Sequence, residues 1–378
     1  MEAQLLELMA EHRERGLQGG SQLVVSLRGA SVVDLAEGEA APGVAMTGAH
    51  ILRWYEAGMP QLAVVVGHLL ERGKLQLDDL VARYVPGWEN GKQGCSIRHL
   101  LTHMGGFPRA ELGDRDVDHE AAVSFIAGYR AESPPGMRAA FHPTSGWRIL
   151  AEVVQRSSRS SLSRLVHRHV WKPAGMPGAA LGLTPGTQRR LGHLLAPVLW
   201  TGWDTPAVLD GTASRVPFRL DLIHNLDWHM AKADPAIGWF GTARDLDSFY
   251  RALNAPQHPF FSSPTTGPLL TSTHRMGLRD HSTGGATVPY GLGFQTAAAF
   301  GGTNGYRAHG HTGRTGRALH DPVEGLTFVY LTNGLCRPED NERRCAEMYE
   351  LVQTLLLPKP SGAWISQGLR NVVPPVGA

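Results

Sequence analysis

Residues 59–79 read MPQLAVVVGHLLERGKLQLDD, and this run decides one element and both of its ends. Met59–Arg72 carries apolar side chains around most of its circumference, as a buried helix does. Pro60 suits a first helical turn, where a missing N–H costs nothing, and Gly73 suits the residue just past a helix end. Lys74–Asp79 then reads as a turn.

Working outward, Gln22–Leu27 (QLVVSL) and Ser31–Leu35 (SVVDL) flank Arg28-Gly29-Ala30 and predict a β-hairpin. The first sixteen residues, MEAQLLELMAEHRERG, mix acidic and apolar residues at helical spacing. Towards the C-terminus, Ile97–His103, Gly146–Ser157, Ser163–Trp171 and Thr242–Leu253 predict helices. Tyr290–Gln295, Arg307–His311, Gly316–His320 and Leu326–Asn333 predict strands, and Asp340–Leu357 a closing helix. Residues 185–237 are irregular and rich in Pro, Trp and His. Strands at both ends with helices between predict an α+β fold, its antiparallel sheet drawn from both chain ends and flanked by helices. The expected division is 1–85 with 240–357 for the sheet domain, 86–239 for a mainly helical insert with pocket-covering loops, and 358–378 for a C-terminal tail.

Composition narrows the function classes. A formal net charge of +2, with 19% charged residues, provides no basic surface for nucleic acid. The apolar runs are too short to span a bilayer. The N-terminus lacks the basic start and apolar run of a secretory signal, so a cytoplasmic location is expected. Cys95, Cys336 and Cys345 show no paired spacing and read as buried thiols, not a disulfide framework. No ligand spacing such as HExxH marks a metal among the 18 histidines, and no cofactor is expected.

Six segments, in order, carry a resemblance. They are Gly73-Lys74-Leu75-Gln76-Leu77-Asp78-Asp79, Ile97–His103 (IRHLLTH), Pro134-Pro135-Gly136, Gly241–Leu246 (GTARDL), Tyr290-Gly291-Leu292-Gly293 and Gly310-His311-Thr312-Gly313. Together they resemble the serine β-lactamase and penicillin-binding-protein superfamily, in its class C and esterase branch, over roughly residues 20–356. That resemblance implies a β-lactamase-like fold and three motifs, SxxK, YxN and KTG or HTG, which meet in one cleft. There a serine attacks a carbonyl, a lysine and a tyrosine manage its proton, and backbone amides hold the oxyanion.

Counting back from Gly73 puts Glu56-Ala57-Gly58-Met59 at SxxK, with Glu56 in the serine's place and Met59 in the lysine's. The five lysines are Lys74, Lys92, Lys172, Lys232 and Lys359, and none has a serine three residues before it. Phe141-His142-Pro143-Thr144 aligns with the second motif, placing His142 at the tyrosine and Thr144 at the asparagine. His311-Thr312-Gly313 keeps the third. The implied oxyanion donors are the amides of Glu56 and Arg314.

The leading expectation is an enzyme of specialised metabolism acting on a small carbonyl compound by non-covalent acid–base chemistry. Glu56, His142 and His311 would be catalytic, and Tyr55, Met59, Thr144, Thr312, Gly313 and Arg314 would bind substrate. A carboxylate at a helix start is favoured by the helix dipole, and histidine titrates nearest neutrality. Two alternatives stand beside it: a catalytically inactive protein that binds a ligand or partner, and an unconventional esterase or amidase. The expected partners are a small-molecule substrate and a second copy of the chain, with neither nucleic acid nor membrane.

Overall fold

A computed structural model describes residues 1–112, 116–201, 222–282, 285–300 and 305–357. The expected tail and much of the Trp-rich stretch, residues 202–221, lie outside the described residues.

The hairpin forms β1 (Gly20–Leu27) and β2 (Ala30–Ala41). Arg28 and Gly29 both have positive φ, 52° and 84°. Two left-handed residues in a row give the tight turn whose twist matches that of its strands. A short β3 (Val44–Ala45) follows. The late strands are β4 (Gln295–Thr296), β5 (His309–Gly313), β6 (Gly316–Asp321) and β7 (Leu326–Thr332). They assemble with the hairpin into one seven-stranded antiparallel sheet, ordered β3-β2-β1-β7-β6-β5-β4. β1 and β7, from opposite ends of the chain, pair Leu23 with Tyr330 and Val25 with Phe328 at its centre.

Both faces of that centre are covered, so its strands are apolar throughout rather than alternating. Leu23, Val25, Leu319, Phe328 and Tyr330 pack with Leu5, Met9, Cys345, Met348 and Val352 from the first helix, Glu2–Glu14, and the last, Pro338–Leu356. Val24, Ala318, Val329 and Leu331 point the other way, into a larger core with Leu246 and Phe249 of helix Ala243–Asn254. That core also takes Leu62–Val66 of helix Pro60–Glu71 and Trp147, Leu150 and Val153 of helix Pro143–Ser158. Helix Ala243–Asn254 starts on a reciprocal cap between Thr242 and Asp245.

One expected strand is corrected. Tyr290–Gln295 is a looped segment, held by isolated bridges from Tyr290 to Arg275 and Gln295. Gly293 has φ +84°, and a Cβ there would come 2.6 Å from the Cβ of Ala63. The chain turns against helix Pro60–Glu71 too closely to run as a strand. The three cysteines are buried, free thiols. Among the described residues, no helix is long and apolar enough to cross a membrane.

Candidate active site

The long helix starts within one residue of the expected Met59, and Glu56 lies just before it instead of in its first turn. Tyr55–Gly58 forms a short 3-10 turn, and the α-helix begins at Pro60. Tyr55 carries φ +50°, a left-handed conformation that costs a non-glycine residue about 1–3 kcal/mol and that clusters at functional sites. The end of β5 presses on this turn. A Cβ on Gly313 would lie 2.8 Å from the backbone nitrogen of Ala57 and would also strike the carbonyl of Trp54. Gly313 is what lets the strand end and the turn meet.

Their meeting sets Glu56 against Arg314. Glu56 Oε2 accepts the Arg314 backbone N–H at 3.2 Å, and Oε1 accepts Arg314 Nε at 3.0 Å. The carboxylate therefore sits on one of the two implied oxyanion donors. It is buried, with 6% of its side chain accessible, whereas Arg314 is 37% accessible.

These residues floor a cavity of about 780 Å³. Glu56, Thr144, Thr312, Gly313 and Arg314 line it, as do Phe141, Tyr290, Trp200, Glu111 and Cys336. Thr312 is braced on two sides. Its N–H donates to Gln295 Oε1 at 2.8 Å, and its Oγ1 accepts Arg317 Nε at 2.9 Å. Asn341 Nδ2 donates to the Gly313 carbonyl at 2.8 Å.

Four of the nine expected site residues lie behind the cavity walls. Met59 is fully buried in the apolar core, beneath Trp147, whose indole N–H donates to the Met59 carbonyl. Tyr55 is fully buried, its ring edge-on to His224 and within cation–π range of Arg53 and Arg314. His311 sits behind Tyr290. Its Nδ1 bonds the Thr312 carbonyl at 2.8 Å, so Nδ1 carries the hydrogen and Nε2 accepts from the Tyr290 hydroxyl at 3.2 Å. Burial pulls the His311 pKa down to about 4, against a smaller upward pull from the Thr312 carbonyl and Glu56. Burial pushes the Tyr290 phenol well up, so it keeps its proton.

His142 is the fourth, and its placement departs furthest from expectation. It is 1% exposed and is the residue before helix Pro143–Ser158. Its Nδ1 donates to the Ala140 carbonyl at 2.5 Å, and its ring packs on Phe107 and His103. Gly105 and Gly146, which lack side chains, leave the space it fills. Phe141, one residue earlier, is the side chain in the cavity wall, its ring centroid 5.9 Å from that of His311. Burial lowers the His142 pKa to about 4. His142 thus does not face Glu56 across the cavity, and the second motif presents an apolar ring there.

Sequence reasoning passed over Tyr290 as a site residue, though it opens the quoted Tyr290-Gly291-Leu292-Gly293 segment. It also passed over Glu111, which no motif marks. Among the described residues, no group of three or more His, Cys, Asp or Glu could hold a metal ion.

A seven-stranded antiparallel sheet, a helix rising from the cleft floor and a His-Thr-Gly strand beside it define a β-lactamase-like protein. The chain belongs to the beta-lactamase family, whose model matches residues 3–352. It is 29% identical over 118 residues to the "Putative penicillin-binding protein PbpX" of Bacillus subtilis (strain 168), a match covering 31% of this chain and 29% of that protein. It is 24% identical over 322 residues to the "Putative D-alanyl-D-alanine carboxypeptidase" of Escherichia coli (strain K12), covering 79% of this chain and 71% of that one. Among solved structures, a family VIII carboxylesterase shares the fold with a TM-score of 0.74 at 22% identity, covering 92% of this chain and 96% of its own.

Proposed function

We propose that this chain is a hydrolase-like enzyme of the β-lactamase fold that acts on a small carbonyl compound without forming an acyl-enzyme. The cleft would lie between a sheet domain, 1–85 with 240–357, and a helical domain, 86–239. The observation that carries the reading is the carboxylate of Glu56, set at the nucleophile position and held by the amide and guanidinium of Arg314. Glu56 has no hydroxyl to acylate, and Met59 has no amine to take a proton. Relatives named as a carboxypeptidase and a carboxylesterase support carbonyl chemistry as the class.

In this reading Glu56 is the base. The place of the acid passes from His142 to Tyr290, which burial keeps protonated, so it serves as a hydrogen-bond donor to the substrate's carbonyl oxygen and not as a source of protons. His311, neutral, orients the Tyr290 hydroxyl until a substrate oxygen competes for it. Proton transfer of this kind fits lyase, isomerase, cyclase or non-covalent hydrolase chemistry.

The test is turnover of a panel of esters, amides and lactams by wild type, Glu56→Gln and Tyr290→Phe. Each substitution should cost about 10²–10⁴-fold in kcat, the usual worth of a positioned acid or base. Unchanged kcat in both, or stoichiometric labelling of the cleft by a fluorophosphonate, sinks the proposal. One observation favours a second reading, a protein that binds a ligand without converting it: Glu56 already occupies an amide that an oxyanion would need. Ligand binding in the cleft with no turnover of any panel member would select that reading.

A further inference from the structure

A second cluster of polar side chains lies away from the cleft, at the opposite end of β5 from Gly313. His309 and His320 are register partners on β5 and β6, so their side chains leave the sheet on one face. Their ring centroids are 5.8 Å apart. Both residues are buried, at 2% and 8% exposure. Each ring is fixed through Nδ1. His309 Nδ1 donates to the Arg307 carbonyl at 2.9 Å, and His320 Nδ1 is bonded to Thr327 Oγ1 at 2.9 Å. That leaves the two Nε2 atoms. His309 Nε2 accepts from Asn254 Nδ2 at 3.1 Å, and His320 Nε2 has no partner among the described residues. Asn254 ends helix Ala243–Asn254 and lines both cavities beside these rings, one of about 640 Å³ walled by His309 and one of about 540 Å³ walled by His320.

We infer that His309 and His320 form a site for a divalent transition-metal ion of the zinc type, completed by the Asn254 amide oxygen and by water. The inference goes beyond the reading of the cleft and does not depend on it. A ring anchored on an oxygen through Nδ1, with Nε2 left over, is how a metal-binding histidine is oriented. The spacing fits as well. An ion about 2.0–2.1 Å from Nε2 lies about 3.2 Å from the ring centre, so two rings on one tetrahedral ion have centres about 5.3 Å apart. The observed 5.8 Å asks the angle at the ion to open to about 130°, or the rings to close by about half an ångström. Burial lowers the His309 pKa to about 4 and the His320 pKa to about 3, so both rings are neutral near neutral pH and keep a lone pair. Turning the Asn254 amide over brings Oδ1 to the ion, at the cost of the bond from Nδ2 to the Tyr250 carbonyl. The ion then sits at the C-terminal end of that helix, where the backbone dipole favours positive charge. Around His309 the Asp321 carboxylate outweighs the Arg307 guanidinium, and Arg251, on the wall beside His320, is held by Asp247 at 2.7 Å. Imidazole nitrogens select zinc, copper or nickel over magnesium and calcium. With two imidazoles in place of the four ligands of a closed structural site, the affinity falls in the micromolar range.

Titration calorimetry with zinc chloride, on the chain first stripped with a chelator, tests this in wild type, His309→Gln, His320→Gln and Thr327→Val. Wild type should bind one equivalent. Each histidine variant should weaken that binding by about 100-fold or more, and Thr327→Val, which removes only the anchor of the His320 ring, by about tenfold. Nitrogen NMR of the wild-type histidine rings needs no variant to fold: zinc should move two Nε2 signals while both Nδ1 atoms keep their hydrogens. A wild type that binds no zinc below about 1 mM overturns the inference. So does wild-type affinity retained in either histidine variant, which places the ion on others of the 18 histidines. A zinc response confined to rings other than these two overturns it as well. None of these measurements involves the cleft, so this inference and the Glu56→Gln turnover experiment fail independently.

Discussion

Replacing Glu56 with alanine should turn the cleft floor into an empty anion site. The substitution removes a carboxylate whose two oxygens accept the Arg314 amide at 3.2 Å and its Nε at 3.0 Å. Each such charged hydrogen bond is worth about 1.5–3 kcal/mol when well buried. Arg314 is 37% accessible, however, so water recovers much of that on removal. A net loss of about 1–2 kcal/mol follows, a fall of a few degrees at most in Tm for a chain this long. The vacated donors should then take a small carboxylate from solution. Formate or acetate at about ten times its Kd returns about RT ln 11, or about 1.4 kcal/mol. Thermal melts of the Glu56→Ala variant across a formate series, at constant ionic strength in chloride, measure this. Wild type, whose own carboxylate fills the position, should not respond. A variant as stable as wild type and indifferent to formate would refute the assignment of Arg314 as an anion-holding group.

Two further outcomes follow from the geometry. Gly313→Ala places a Cβ against Trp54 and Ala57 backbone and should cost about 2–4 kcal/mol, since neither can move without shifting β5 or the turn that carries Glu56; denaturant melts check it, and a cost under about 0.5 kcal/mol contradicts the close approach. Stability should also fall on acidification between roughly pH 6.5 and 4, because His142, His309 and His311 are held down to about 4 in the folded chain while the unfolded chain takes protons from about 6.5. Each contributes about 1.4 kcal/mol per pH unit inside that window, all of it present above the window and none lost further below it; His311→Phe should reduce the measured slope by one proton, and an unchanged slope would place that histidine in water.

How much was legible in the sequence depended on whether the signal was local. Helix Pro60–Glu71 and its Gly73 end, the Arg28-Gly29 hairpin and the Thr242 cap were readable because each is decided by neighbours a few residues away. The family was readable because six short segments keep their order. The His-Thr-Gly strand was legible from the resemblance, and Glu56 at the nucleophile position by counting back from Gly73.

Three features needed the folded chain. Tyr290–Gln295 has the composition of a strand, but its close approach to Ala63 bends it into a loop. His142 and Phe141 are adjacent, and only the backbone entering helix Pro143–Ser158 decides which side chain enters the cleft; two glycines open a core space that the imidazole fills. Glu111 belongs to no motif, and only the folded chain brings it to the wall of the cavity that Glu56 floors. The sequence by itself determined the fold and the loss of every SxxK. The tertiary structure decided which groups face the cleft and which lie buried behind its walls, because burial and pairing are properties of residues far apart in the chain.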